Sequence, residues 1–324
     1  MQTVIKPKSF KTESSPALKT RVVLDLGNGQ VKALLLAPGA KRWEQVSFPS
    51  YAAETERSDS ACIKIYTPDG FKNYLVGEDA AAIPMSHTGK TEAGKSENAK
   101  LLLIHALRLA FGDEMQAIHT EVIFTSPSNK AYGSDISAQL QNVHPVTIPA
   151  DAEVIGSEAK SFTVTVHRAI PQLEGHYAFS SLNLKKDSWI IDCGNRTMIA
   201  TKVRPNGAIV KRSYFGGCGV RGIAESITAN ESLTAHFQEH TPERVIDFLF
   251  ENEGADIEAA IAPDVQRATA KAIAFLDDAP RYLIGGGAGV PGLAGLLGAT
   301  VPKNSQWVNI QALADISAQI LGDA

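Results

Sequence analysis

The sequence predicts an α/β protein made of two similar lobes. Its length of 324 residues suits two domains of roughly 100–200 residues each. An apolar strand, an Asp-x-Gly turn and a second apolar strand occur twice, first as Arg21-Val-Val-Leu-Asp25-Leu-Gly27-Asn28-Gly29-Gln30-Val-Lys32, then as Trp189-Ile-Ile-Asp192-Cys-Gly194-Asn195-Arg196-Thr197-Met-Ile199. The copies stand about half the chain apart, as a duplicated unit would. In both halves the strands lead on into helices.

Taken in order, residues 1–20 carry scattered Lys, Ser and Pro without an apolar run and read as a mobile tail. The first hairpin follows. Leu101, Ile104, His105 and Arg108 keep helical spacing and predict a helix over 97–111, with another over 131–141. Val122 to Pro127 reads as a strand ending in a loop. After the second hairpin, the turn Pro205-Asn206-Gly207 leads into a strand over 208–215, and Gly216-Gly217-Cys218-Gly219 opens a helix at Val220. Thr241 as N-cap and Pro242 at the first helical position predict a helix over 242–252. Further helices are expected over 264–276 and 310–321. Ala279 to Ile284 forms a strand running into Gly285-Gly286-Gly287-Ala288. The uncharged stretch from Tyr282 to Pro302 holds seven glycines and two prolines, too many for a membrane span.

Charge and cysteine usage narrow the function. The net charge is −4, so no general cationic field exists to hold nucleic acid, and neither direct nucleic-acid binding nor membrane association is expected. Cys62, Cys193 and Cys218 are odd in number and widely spaced. That excludes a disulfide framework and a Cys-rich zinc site, and suits a cytoplasmic location.

Three short motifs compete for attention. Gly89-Lys-Thr-Glu-Ala-Gly94-Lys95-Ser96 is a literal P-loop pattern. A P-loop hangs from the end of a buried strand, whereas Ala80 to Thr88 contains a proline and no β-branched run. The plain reading is a polar loop leading into the helix at 97. Gly217-Cys-Gly219-Val-Arg-Gly222 satisfies the dinucleotide fingerprint but follows a strand meander instead of opening a parallel βαβ unit. His236-Phe-Gln-Glu239-His240 matches an inverted zinc-peptidase pattern, yet Thr241-Pro242 starts a new helix directly after it.

The ordered set Asp25-x-Gly27 with Lys32, Asp192-x-Gly194 with Thr197, Gly217-x-Gly219 and Gly285-Gly286-Gly287-Ala288 resembles the actin, heat-shock-chaperone and sugar-kinase ATPase superfamily. Leu75-Val-Gly77-Glu-x-Ala80 and Ser126-Pro127 look most like the bacterial actin-like proteins of plasmid segregation, the ParM type. The resemblance covers about residues 21–320.

It implies an actin-like, ribonuclease H-like duplicated fold with ATP or ADP in the cleft between the lobes, GTP staying open. Lobe I would span 21–165, with the helix at 308–324 packed back on it, and lobe II 166–307. The hairpin turns at Gly27, Asn28, Gly29 and Gln30, and at Gly194, Asn195, Arg196 and Thr197, would offer amides to phosphates, with Lys32 as a point charge. Asp25 and Asp192 would hold Mg²⁺ mainly through water. Gly217, Gly219 and Gly285 to Ala288 would lie against the nucleoside. For hydrolysis the resemblance points to Gln172 or Glu174, with Gln172 favoured; strand alternation puts both on one face.

The second motif departs from the family's usual Asp-x-Gly-Gly-Thr-Thr-x-Asp. Arg196 adds a cation and Ile199 replaces a carboxylate. The resemblance further implies nucleotide-dependent filaments of the chain with itself, a role in DNA segregation and an adaptor protein that contacts the DNA. The rival within the superfamily is a small-molecule kinase, which needs a carboxylate base for its acceptor; no clear Asp in a substrate loop supplies it.

Overall fold

The computed structural model describes residues 19–67, 69–83, 92–113, 117–128, 132–238, 240–252 and 254–322. Strand β1 (Thr20–Leu26) turns back into β2 (Gln30–Leu36), placing Asp25 opposite Lys32. Seven more strands complete the first sheet: β3 (Glu44–Pro49), β4 (Ala52–Thr55), β5 (Ile63–Thr67), β6 (Gly70–Val76), β7 (Ala117–Ser126), β8 (Asn142–Ile148) and β9 (Lys160–Leu173). Their order is β3-β2-β1-β7-β9-β8-β5-β6-β4, and β1, β7 and β9 run parallel.

Parallel strands at the middle of a sheet are covered on both faces, which explains the apolar runs Val22-Val23-Leu24 of β1 and Val122-Ile123-Phe124 of β7. Side chains alternate between faces, and the sequence divides accordingly. Val22, Leu24, Leu26, Val122 and Phe124 enter one core, together with Leu102, Leu103 and Leu107 of the long helix Glu92–Phe111. Val23, Leu34 and Ile123 point the other way, to Ile310, Leu313, Ala314 and Leu321 near the C-terminal end of the chain.

The short helix α1 (Glu78–Ala81) follows β6, then α2 (Glu92–Phe111), while α3 (Tyr132–Leu140) follows β7. Residues 101–104 of α2, one full turn, are all buried, so this stretch is packed on every side. After β9, the chain crosses to the second lobe through α4 (Ala178–Leu182).

The second lobe repeats the arrangement in smaller form. Strands β10 (Ser188–Cys193), β11 (Thr197–Val203), β12 (Ile209–Gly216) and β13 (Arg281–Ile284) lie in the order β12-β11-β10-β13. As β1 pairs antiparallel with β2 and parallel with β7, so β10 pairs antiparallel with β11 and parallel with β13. Helices α5 (Val220–Thr228), α6 (Glu231–Phe237), α7 (Pro242–Glu251) and α8 (Ala255–Ile273) bury Trp189, Ile191 and Cys193. A single 3₁₀ turn at Gly286–Gly289 and α9 (Leu293–Leu297) lead to α10 (Val308–Asp315) and α11 (Ser317–Leu321).

Several expectations are corrected. The boundary expected at 165/166 falls inside β9, whose pairing with β7 carries the first lobe through Leu173. The helix expected from 264 begins at Ala255, with Pro263 inside it; a proline suits a first turn but is tolerated where the rest of the helix is held by packing. The helix expected over 310–321 is two, broken at Ile316. The inverted zinc-peptidase pattern does not lie on one helix, because α6 ends at Phe237 and Gln238 takes φ +58°; Glu239 lies outside the described residues. Among the described residues no three His, Cys, Asp or Glu side chains gather as a metal would need. For the P-loop pattern, Gly89 to Thr91 lie outside the described residues and Glu92 to Ser96 belong to α2; the nearest described element upstream is α1, not a strand. Residues 1–18 of the expected tail also lie outside the description. No helix among the described residues is long and apolar enough to cross a membrane.

One buried titratable group links this packing to pH. His105 of α2 stacks edge-on against Phe48 at 4.7 Å, and burial, with Arg108 adding to it, pushes its pKa down to about 4. The folded protein therefore holds this ring neutral while the unfolded chain takes up a proton below its ordinary value of about 6.5. Its contribution is intact above about pH 6.5 and is lost as the pH falls toward 4, at no more than about 1.4 kcal/mol per pH unit. Urea unfolding between pH 7 and 4.5 should show this slope, and His105→Gln should flatten it.

Candidate functional site

The two hairpins meet turn to turn. Gly29, in the first, lies so close to the second that an added Cβ would stand 3.4 Å from Asn195 Cβ. Between the lobes they bound a cleft of about 820 Å³, lined on one side by Asp25, Gly27 to Gln30 and Lys32 and on the other by Asp192, Gly194, Asn195 and Thr197. Each turn presents backbone of a kind that accommodates anions.

Charge is placed by strand pairing. Asp25 and Lys32 are cross-strand partners, with Lys32 Nζ 4.0 Å from Asp25 Oδ2. Thr125 Oγ1, near the end of β7, donates to Asp25 Oδ1 at 2.7 Å and fixes that carboxylate. Asp192 occupies the matching place on β10. Backbone without side chains surrounds it: a Cβ at Gly175 would lie 3.0 Å from its Cβ, and one at Gly285, where φ is +85°, would run into its Oδ1.

The second turn is braced from behind. Val220 N–H donates to Gly194 O at 3.1 Å and Arg221 N–H to Asn195 O at 2.7 Å, so the first turn of α5 is bonded to the hairpin. Gly219 permits this, since a Cβ there would stand 2.5 Å from both Gly194 O and Thr197 N.

The far end of the cleft has a different character. Gly285 and Gly286 form bare backbone facing Ile246 and Phe250 of α7, with Glu243 and Asp247 on the same helix. A flat apolar group with hydroxyls alongside suits such a slot. Asn28 Oδ1 and Asn309 Oδ1, both on cleft-lining residues, are buried without hydrogen-bond partners among the described residues. A buried acceptor left so is costly unless a ligand supplies the donor.

Not every expected residue reaches the cleft. Glu174 lines it; Gln172 does not. Strand β9 ends at Leu173, so the alternation that would put 172 and 174 on one face stops between them. Gln172 stays in the sheet opposite Thr125. Arg196 is absent from the lining, flanked by Asn195 and Thr197, which face it; its carbonyl accepts from Gly217 N–H. Gly217 and Gly219 support the hairpin from outside the lining, Gly287 packs against Cys193 Sγ, and Ala288 joins the second core. The sequence reading missed Tyr51, Ile246, Phe250, Ser305 and Asn309, which distant segments bring to the cleft. It also missed Arg212, whose Nη1 donates to Glu174 O at 2.9 Å.

A duplicated α/β fold with facing hairpin turns at an interlobe cleft defines the actin-like class. Residues 24–175 match the family model described as the actin-like proteins N-terminal domain. The first lobe matches that domain, and the chain as a whole has the actin-like fold. Among solved structures, the actin-like protein Alp7A is 12% identical with a TM-score of 0.66, over 94% of this chain and 97% of that one. ParM of Bacillus thuringiensis, solved with AMPPNP, is 17% identical with a TM-score of 0.65, over 95% of this chain and 100% of its own. AlfA from B. subtilis plasmid pLS32, solved as a filament, is 21% identical with a TM-score of 0.58, over 91% and 98%. No curated protein sequence matches the chain.

The glycines give a direct check. Gly219→Ala should destabilise the protein by about 1–3 kcal/mol, the range for forced overpacking. Gly286→Ala, where a Cβ meets nothing within 4 Å, should stay within about 1 kcal/mol of wild type. Urea denaturation of the two variants should separate them clearly.

Proposed function

We propose that this chain is an ATPase that holds ATP with Mg²⁺ between its lobes and assembles with itself into nucleotide-dependent filaments. The carrying observation is the pair of facing hairpin turns with Lys32 on one side and the carboxylates Asp25 and Asp192 flanking the cleft. The amides of 27–30 and 194–197 and Lys32 would hold the phosphates. Gly285 and Gly286 would lie against adenosine, with Glu243 and Asp247 alongside. Asp25 and Asp192 would hold the waters of Mg²⁺, an ion that neutralises charge on the phosphates when bound. Glu174, at the cleft wall, would orient the attacking water and take its proton. Support comes from ParM having been solved with ADP and with AMPPNP, and AlfA as a filament.

The cellular role we infer is cytoplasmic, in DNA segregation such as that of a plasmid. The acidic chain would then reach DNA through an adaptor and not by itself. Heterologous contacts that do not close give open filaments.

Right-angle light scattering at micromolar protein, with Mg²⁺ and ATP, GTP, ADP or none, tests assembly and nucleotide choice together. A rise above a threshold concentration, with filaments in negative stain, supports the reading. Tight nucleotide binding without scattering at any concentration rejects the filament and favours a kinase. Phosphate release should fall by about 100-fold in Glu174→Gln, the lower end for loss of a positioned base, and by no more than about threefold in Gln172→Ala.

A further inference from the structure

Arg212 stands on β12, the outermost strand of the second sheet, yet its guanidinium is directed to the join between the lobes. Nη1 donates to the backbone oxygen of Glu174 at 2.9 Å and also to Thr201 Oγ1. Nη2 is buried and has no hydrogen-bond partner among the described residues. Burial disfavours the charge, while the carboxylates of Glu174 and Asp192 favour it.

This contact makes the peptide of Glu174 bipartite. Its N–H donates to Ser126 O, at the end of β7 in the first lobe, at 3.0 Å. Its C=O accepts from the second lobe. Gly175, next in sequence, takes φ +71° and lies against Asp192. Strand β9 ends at Leu173, so the direction of this segment depends on both anchors.

We propose that Arg212 is a positioning residue that couples lobe closure to hydrolysis. Held by Arg212 in the closed arrangement, the Glu174 carboxylate is aimed at the water that attacks the γ-phosphorus. The oxygen of that water bonds to phosphorus as the bond to the β–γ bridging oxygen breaks. The electron pair leaves with ADP, and the water's proton passes to Glu174 and on to the phosphate. When the lobes part, the Arg212 contact lengthens and Glu174 loses its aim while the hairpin turns keep their shape. The inference rests on the ATPase reading above, and it adds a coupling that the cleft's own lining does not contain.

Single-turnover phosphate release and the Kd for a fluorescent ATP analogue, measured on wild type, Arg212→Ala and Arg212→Lys, test it. Arg212→Ala should slow phosphate release by at least about tenfold, as small misplacements of a reacting group do, with Kd within about twofold of wild type. Arg212→Lys should lie between, and guanidinium ion at about 10–50 mM, well below the molar range in which it unfolds proteins, should restore part of the rate in Arg212→Ala. Unchanged phosphate release in Arg212→Ala overturns the proposal. Equal losses of affinity and rate, with no rescue by guanidinium, overturn it too and leave Arg212 a structural strut. If wild type neither binds nor hydrolyses ATP, the ATPase reading itself fails; if wild type hydrolyses and the variants match it, only the role of Arg212 fails.

Discussion

Asp192 is met from two sides by backbone that carries no side chain, and the geometry of the cleft depends on that close approach. Gly175 arrives from the segment that crosses between the lobes, and Gly285 from the loop that follows β13. A side chain at either place would push the carboxylate or the crossing segment aside, and both glycines have positive φ, where other residues are strained. One carboxylate thus fixes where three pieces of chain converge: the end of β10, the crossing and the glycine loop. The turn at Gly194 to Thr197 stands opposite the turn at Gly27 to Gly29, with Gly29 against Asn195.

Two crossings join the lobes. The first runs through α4, whose Ala178 packs with Ile190, Val203 and Val308. The second runs from the glycine loop, where Gly285 N–H donates to Ser305 O at 3.1 Å, into α10, which lies on Val23, Leu34 and Ile123 of the first sheet. A pair of adjacent crossings permits one lobe to rotate on the other while each sheet stays intact, which is the hinge geometry that ligand-driven closure uses.

The hairpins were legible in the sequence because their determinants are local. An apolar run, Asp-x-Gly and a second apolar run specify strand, turn and strand without help from elsewhere, and the parallel partners β7 and β13 show as short uninterrupted apolar segments. Other features depend on residues far apart in the chain. Whether 172 and 174 share a face turns on where β9 ends, and that is decided by its pairing with β7, which finishes at Ser126 and Leu173. Pro263 misdirects a reading of helix starts, since α8 is held together by packing of Ile261 and Val265 on both sides of it. Tyr51, Phe250 and Asn309 carry no motif at all; they become neighbours only because β3, α7 and α10 end at the same cleft. Arg196 sits among residues that face the cleft yet does not line it, a distinction that spacing alone does not make.

On the proposed reading, this division between local and distant determinants has a mechanical meaning. Each phosphate cradle is built within its own lobe, by a hairpin whose hydrogen bonds are internal to one sheet, and α5 braces the second cradle from the same side. Such cradles survive a change in the angle between lobes, so nucleotide can stay attached to either one. Glu174 is different, because its peptide N–H answers to the first lobe and its C=O to the second. A rotation of a few degrees that leaves both hairpins unaltered must still move one of these two anchors relative to the other. Binding therefore depends on pieces that each lobe owns, whereas the hydrolytic geometry depends on the relation between them. A filament contact that favours the closed relation would raise the hydrolysis rate without touching the nucleotide, and one that favours the open relation would slow it by the same route.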